Sequence, residues 1–223
     1  MDNRMKPYDV PHKALRNALS QLSLLAGKTD YSDHEQIKTL YDTGREIFSI
    51  LTIHAEDEND VTLAMLETRC PGGSKHDMDD HIKIEAEQHK LEQLLSGIYN
   101  DSLNGGGNTR DGAEFYLALT EFHGKYLEHT AEEERVTQPL LWKYFTDDEL
   151  GVFRQKIMSK MTTETLMTWF KFIIPAQSPQ ERAGFLSGFK KTAPPALFNQ
   201  AMEVIKKELA HPDFFILQAR LEK

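Results

Sequence analysis

The sequence predicts an all-α protein: an antiparallel, up-down-up-down four-helix bundle over residues 8–150, then a helical extension over 151–223 that packs on the bundle or on a partner. Three observations predict it. Apolar residues recur three and four apart rather than two. Four long periodic stretches are separated by the turn-forming clusters "GKTDYSD", "CPGGSKHD" and "NDSLNGGGNTRDG". Beyond Thr146, capping signals and prolines crowd together, so the elements there must be short.

The first helix runs from about Pro11 to Ala26 and sets Leu15, Leu19, Leu22 and Ala26 in one row. A second, from near Ser32 to near Arg69, passes through Ile37, Leu40, Tyr41, Ile47, Phe48, Leu51, Met65 and Leu66. The third spans roughly Met78 to Tyr99. The fourth, from about Ala113 to Tyr144, carries Phe115, Leu119, Phe122, Tyr126, Val136 and Leu140. Four amphipathic helices joined by short or moderate loops favour antiparallel neighbours. In the tail, "TDDE" and "SPQE" read as capping boxes that pair Thr146 with Glu149 and Ser178 with Glu181. Pro175, "APP" at 193–195 and "HP" at 211–212 divide it into about four short helices, and its methionines, at helical spacing, read as core filler.

Composition narrows the function classes. Lys and Arg number 26 against 35 Asp and Glu, a formal charge of −9, which disfavours nucleic acid or an anionic membrane surface as partner. Cys70 is alone, so no intrachain disulfide forms and a reducing cytoplasm is expected. The N-terminus lacks the apolar core of a signal peptide, and no apolar run is long enough to span a bilayer. A soluble cytoplasmic protein is the expectation.

Against this background, several polar residues stand on apolar faces. The row Phe115, Leu119, Phe122, Tyr126 continues to His129 and Glu133, then to Val136 and Leu140. In the second helix Leu51 leads to His54, then Glu58, Thr62 and Met65. His12 opens the row of the first helix. Burying carboxylates repeatedly requires partners, and imidazole with carboxylate suits iron, manganese or zinc in a bundle core. A single His-x3-Glu pair is ordinarily a solvated pair or a satisfied core histidine; two such pairs on apolar faces, with His12, argue for metal.

The third helix leaves alternatives open. Ile84, Leu91, Leu94, Leu95 and Ile98 mark its apolar face, which favours His81, whereas counting depth along the helices favours His89; Glu85 ranks third, as a bridging ligand or an exposed acid. Tyr126, one turn before His129, is placed either to hydrogen-bond a bound oxygen species or simply to fill the core.

Taken together, His12, "HAEDE" (54–58), a histidine in the third helix and "HTAEEERVTQPLL" (129–141) resemble the hemerythrin-like family, the HHE cation-binding domains, over about residues 8–150. The resemblance implies a non-haem di-iron centre bridged by Glu58 and Glu133, with terminal histidines His12, His54, His129 and one from the third helix. It also makes Pro139, otherwise awkward inside a helix, an expected feature. Oxygen-carrying hemerythrins have two histidines four apart in helix three and His-x4-Asp in helix four, and this chain departs from both. The implied roles are therefore binding or sensing of a small diatomic or peroxide ligand, redox turnover of peroxide or nitric oxide, or a regulatory helical module with a structural metal. The C-terminal helices are the expected surface for a protein partner or a second copy.

Overall fold

The computed structural model describes residues 4–105 and 109–222, and every regular element among them is helical. Two compact units emerge, one of Met1–Asp9 with Ala18–Ser159 and one of Val10–Asn17 with Lys160–Lys223. Helix α1 (Asp9–Lys28) is a single element that contributes to both.

The first unit is the antiparallel bundle. Residues 34–69 form one long rod: α2 (His34–Asp57), a π-helical segment (Glu58–Leu63) and α3 (Ala64–Arg69). Asp33 caps its start by accepting from the amides of Glu35 and Gln36. Helix α4 (Lys75–Leu103) begins three residues before the expected Met78. A second compound rod follows: α5 (Thr109–Glu132), a π-helical segment (Glu133–Thr137) and α6 (Gln138–Tyr144). Positions 106–108, part of the expected glycine-rich connection, lie outside the described residues. Helix α7 (Asp147–Lys160) opens on the expected capping box, with the Glu149 amide donating to Thr146 Oγ1 at 3.3 Å and Glu149 Oε2 accepting from the Thr146 amide at 2.9 Å.

Packing follows the predicted rows up to the π-helical segments and then departs from them. Ile47, Leu51, Leu91, Leu95, Leu119 and Phe122 are buried. Helices α2 and α4 approach closely at Gly44, where an added Cβ would lie 2.5 Å from Leu95 Cδ2. Past Glu133, however, Thr137, Gln138 and Leu141 are buried, while the expected Val136 is half exposed. Past Glu58, Leu66 is buried and Met65 only partly so. A π-helical turn takes in an extra residue, which moves the inward face about one position along the chain. These displaced residues form a cluster in which Tyr8, Val61, Leu66, Leu141, Phe145 and Leu150 are buried together.

The second unit holds α8 (Thr163–Ala176), α9 (Pro179–Thr192), α10 (Pro195–Glu208) and α11 (His211–Leu221) with the segment Val10–Asn17. Among the described residues five helices thus follow Thr146, rather than about four. The extra break, at Met161–Thr162, carries neither Gly nor Pro; the Thr162 side chain marks it by accepting from the Thr165 amide. Ser178 and Glu181 form the expected box at α9. Leu166, Trp169, Phe170, Ile174, Leu186 and Ile205 are buried here. Met167 is buried too, but Met158 on α7 is exposed, so the methionines do not act uniformly as core filler. Lys13 Nζ meets Glu181 Oε1 at 2.6 Å, and Asn17 Nδ2 donates to the Phe172 carbonyl at 3.3 Å.

Candidate metal centre

Both π-helical segments begin at a glutamate, Glu58 in one and Glu133 in the other, and each glutamate follows a histidine by four residues. That spacing sets His54 beside Glu58 and His129 beside Glu133 on one face of each rod. The lines of approach are His54 Nε2 to Glu58 Oε1 at 3.2 Å and His129 Nε2 to Glu133 Oε1 at 3.4 Å. From α4, His81 Nε2 reaches both carboxylates, Glu58 Oε2 at 3.4 Å and Glu133 Oε1 at 3.5 Å. Glu133 is wholly buried, and Glu58 and His81 are each 4% exposed. His54, Glu58 and Glu133 offer ligand atoms within 4.8 Å of one another, and so do His81, His129 and Glu133, so Glu133 belongs to both sets.

These residues fit a metal. The distances of 3.2–3.5 Å exceed the ~2.8 Å of a charge-assisted hydrogen bond. They are close to the ~3 Å separation of two donors that each stand about 2.1 Å from one ion. Burial alone would lower the His81 pKa, but the facing Glu133 and Glu58 outweigh it and hold it up at about 10. Two buried carboxylates facing one another demand a positive charge between them, and a metal ion there would supply it and take the place of a proton on His81 Nε2.

Around the donors lies a shell of polar groups. His81 Nδ1 is 2.9 Å from Asn59 Oδ1. One turn earlier on α4, the buried Asp77 accepts from Thr137 Oγ1 through Oδ2 at 2.5 Å. Burial raises the Asp77 pKa to about 6 against the opposing Thr137 hydrogen bond, and the charges of Glu133 and Glu58 add to the rise. The Tyr8 phenol is held well above its ordinary range, first by burial and then by Glu58, Glu133 and Asp77. A cavity of about 60 Å³ opens beside His54, His81 and His129, lined also by Leu51, Ile84 and Tyr126. Tyr126 is buried with its ring centroid 6.1 Å from that of His129.

The structure brings His54, Glu58, His81, His129 and Glu133 together. It does not bring in the other two candidates of the third helix. Glu85 is exposed at the cavity wall, and His89 is exposed with Nε2 2.9 Å from Gln93 Nε2. Face decided this, not depth: with α4 starting at Lys75, His81 already lies nearly two turns in. His12 is completely buried on α1, within the Val10–Asn17 segment. Other histidines serve elsewhere, His123 with Ser23 Oγ (3.0 Å), His34 with Ser102 Oγ (2.9 Å) and His76 with Glu132 (2.9 Å). Tyr8, Asn59, Asp77 and Thr137 were not among the candidates. Two of them had a signal, since Asp77 precedes His81 and Thr137 follows Glu133 by one turn.

Comparison with known proteins agrees with this geometry. The Hemerythrin HHE cation binding domain family matches residues 7–141, and the chain belongs to that family. Among relatives, the F-box/LRR-repeat protein 5 of Mus musculus is 24% identical over 157 residues, covering 69% of this chain and 21% of its own length. The Xenopus tropicalis protein of that name is 25% identical over 153 residues, covering 69% and 22%. A zinc finger protein BRUTUS-like of Arabidopsis thaliana is 24% identical over 189 residues, covering 82% and 14%. The chain thus spans about a fifth or less of the length of these relatives. Among the described residues no helix is long and apolar enough to cross a membrane.

Proposed function

We propose that His12, His54, Glu58, His81, His129 and Glu133 would together hold two non-haem iron ions. The pair binds or senses a small diatomic or peroxide ligand, such as oxygen, nitric oxide or hydrogen peroxide. One observation carries the reading: His81 Nε2 is shared between two buried carboxylates at 3.4 and 3.5 Å, distances that suit a common ion. His12 enters through its complete burial and through the family match, which begins at residue 7. Bound there, iron supplies a change of redox state and a coordination position for the ligand. The protein's own residues shield the site, orient the imidazole nitrogens toward it and leave a small cavity beside it.

Sensing is favoured over plain carriage on two grounds. With Glu85 and His89 exposed, helix three brings one histidine to the centre where the oxygen-carrying hemerythrins have two, so the proposed set of four histidines and two glutamates leaves a coordination position open. The relatives are several times longer than the matched region, so in them the domain is one part of a larger protein. A reducing cytoplasm accords with the lone Cys70.

Metal analysis after anaerobic iron loading tests the reading, with wild type beside His129→Ala and Glu133→Ala and with optical spectra before and after oxygen. Wild type is expected to hold close to two iron ions and each variant to lose at least one. Wild type that retains manganese or zinc in preference, or well under two metals, overturns it. Multiple turnovers with peroxide would move the assignment from sensor to enzyme.

A further inference from the structure

We propose that Asn59 is a positioning residue of the centre. Its side-chain carbonyl keeps a proton on His81 Nδ1 and so presents Nε2 to the metal pair. This rests on the di-iron reading above and names a residue outside the donor set.

The Asn59 carbonyl oxygen has no hydrogen to give, so its 2.9 Å contact with His81 Nδ1 has one direction, with Nδ1–H donating. The ring is 4% exposed, and Asn59 Oδ1 lies within hydrogen-bond reach of its Nδ1. Asn59 follows Glu58 directly within the π-helical segment, so one segment provides a carboxylate on one side of the ring and the acceptor on the other. Nε2, 3.4 and 3.5 Å from the glutamates, is then the nitrogen left for coordination. The backbone of α4 is tied separately, because Thr137 of the other π-helical segment donates to Asp77 one turn before His81. Removing the Asn59 carbonyl therefore frees the ring while the helix stays tethered.

The experiment compares wild type, Asn59→Leu and Asn59→Asp, each with isotope-labelled histidine, by nitrogen–proton correlation spectra without metal and with zinc, together with zinc titration. Wild type is expected to show a protected Nδ1 proton on a buried histidine in both states. Asn59→Asp, which keeps an acceptor, retains that signal and both zinc ions. Asn59→Leu loses the signal and binds one of the two ions roughly 10–100-fold more weakly. Wild-type affinity at both positions in Asn59→Leu, or an Nδ1 proton that survives there, overturns the proposal. So does loss of helicity in Asn59→Leu that Asn59→Asp shares, since the residue would then act on folding alone. Wild type that takes up neither iron nor zinc overturns the di-iron reading and the proposal together; zinc uptake without an Nδ1 proton overturns only the role of Asn59.

Discussion

The two units bury polar side chains for different ends. In the C-terminal unit the buried Arg182 donates from Nε to the Ile174 carbonyl at 2.9 Å and from Nη2 to the Gln177 carbonyl at 3.0 Å. Those carbonyls end α8, so the guanidinium satisfies acceptors that a helix terminus always leaves over. In the bundle, His54, Glu58, His81, His129 and Glu133 lie mid-rod, where backbone groups are already paired, and they converge on one another. Buried polarity at a helix end is explained by the backbone. Buried polarity in mid-helix that converges from three rods calls for a ligand.

The largest effect that sharpens this contrast is expected from Glu58→Ala. Loss of a carboxylate that reaches both His54 and His81 should remove at least one metal while leaving the fold intact, as read by metal analysis and far-UV circular dichroism. Retention of both metals would mean that the convergence serves folding, as Arg182 does. The counterpart is Arg182→Ala, which should leave metal content unchanged and lower stability by about 1–3 kcal/mol by orphaning two buried carbonyls. The two tryptophans separate the readouts, since Trp142 lies in the bundle and Trp169 in the C-terminal unit. The urea transition reported by Trp169 should move.

Much of this difference was legible in the sequence, and what was not has a physical cause. His54, Glu58, His129 and Glu133 stood in apolar rows because each lies before or at the start of a π-helical segment, where α-helical period still holds. Past those points the period holds less well: the expected Val136 is half exposed while Thr137 is buried, and of the expected Met65 and Leu66 only Leu66 is buried. Nothing local announces the change: Pro139 follows the second segment, but the first, "ENDVTL", has no proline at all. The contacts that Asn59 and Thr137 make were hidden for another reason. Their partners, His81 and Asp77, lie 22 and 60 residues away, and a single helix face does not report contacts between rods. The grouping of Val10–Asn17 with the C-terminal helices is likewise a long-range fact, carried by Lys13 with Glu181 and Asn17 with Phe172.

A milder test concerns packing near the centre without touching its donors. Gly44→Ala places a Cβ 2.5 Å from Leu95 Cδ2, so Leu95 must shift where α2 meets α4. The expected cost is about 1–3 kcal/mol from overpacking, seen in the Trp142 transition, with both metals still bound. Loss of a metal in this variant would show that the spacing of α2 and α4 sets the site as strictly as its ligands do.

The smallest effects compare the two capping boxes, one in each unit. Hydrogen bonds from Arg69 and from the Thr146 amide hold the Glu149 pKa down at about 2, and Lys13 with the Ser178 amide does the same for Glu181. A carboxyl whose folded pKa is depressed stabilises the fold above its ordinary value near 4.5, and that contribution is lost as pH falls through about 2. Glu149→Gln and Glu181→Gln keep a capping acceptor and remove the charge. Each should be slightly less stable than wild type near neutral pH, with the gap closing as pH falls from about 4.5 to about 2. Both sites are exposed enough for salt to screen them, so the gap should also shrink with added salt. Urea midpoints followed by Trp142 for Glu149→Gln and by Trp169 for Glu181→Gln check this. A gap that stays constant with pH would place the stabilisation in the neutral hydrogen bonds of the boxes, not in their charges.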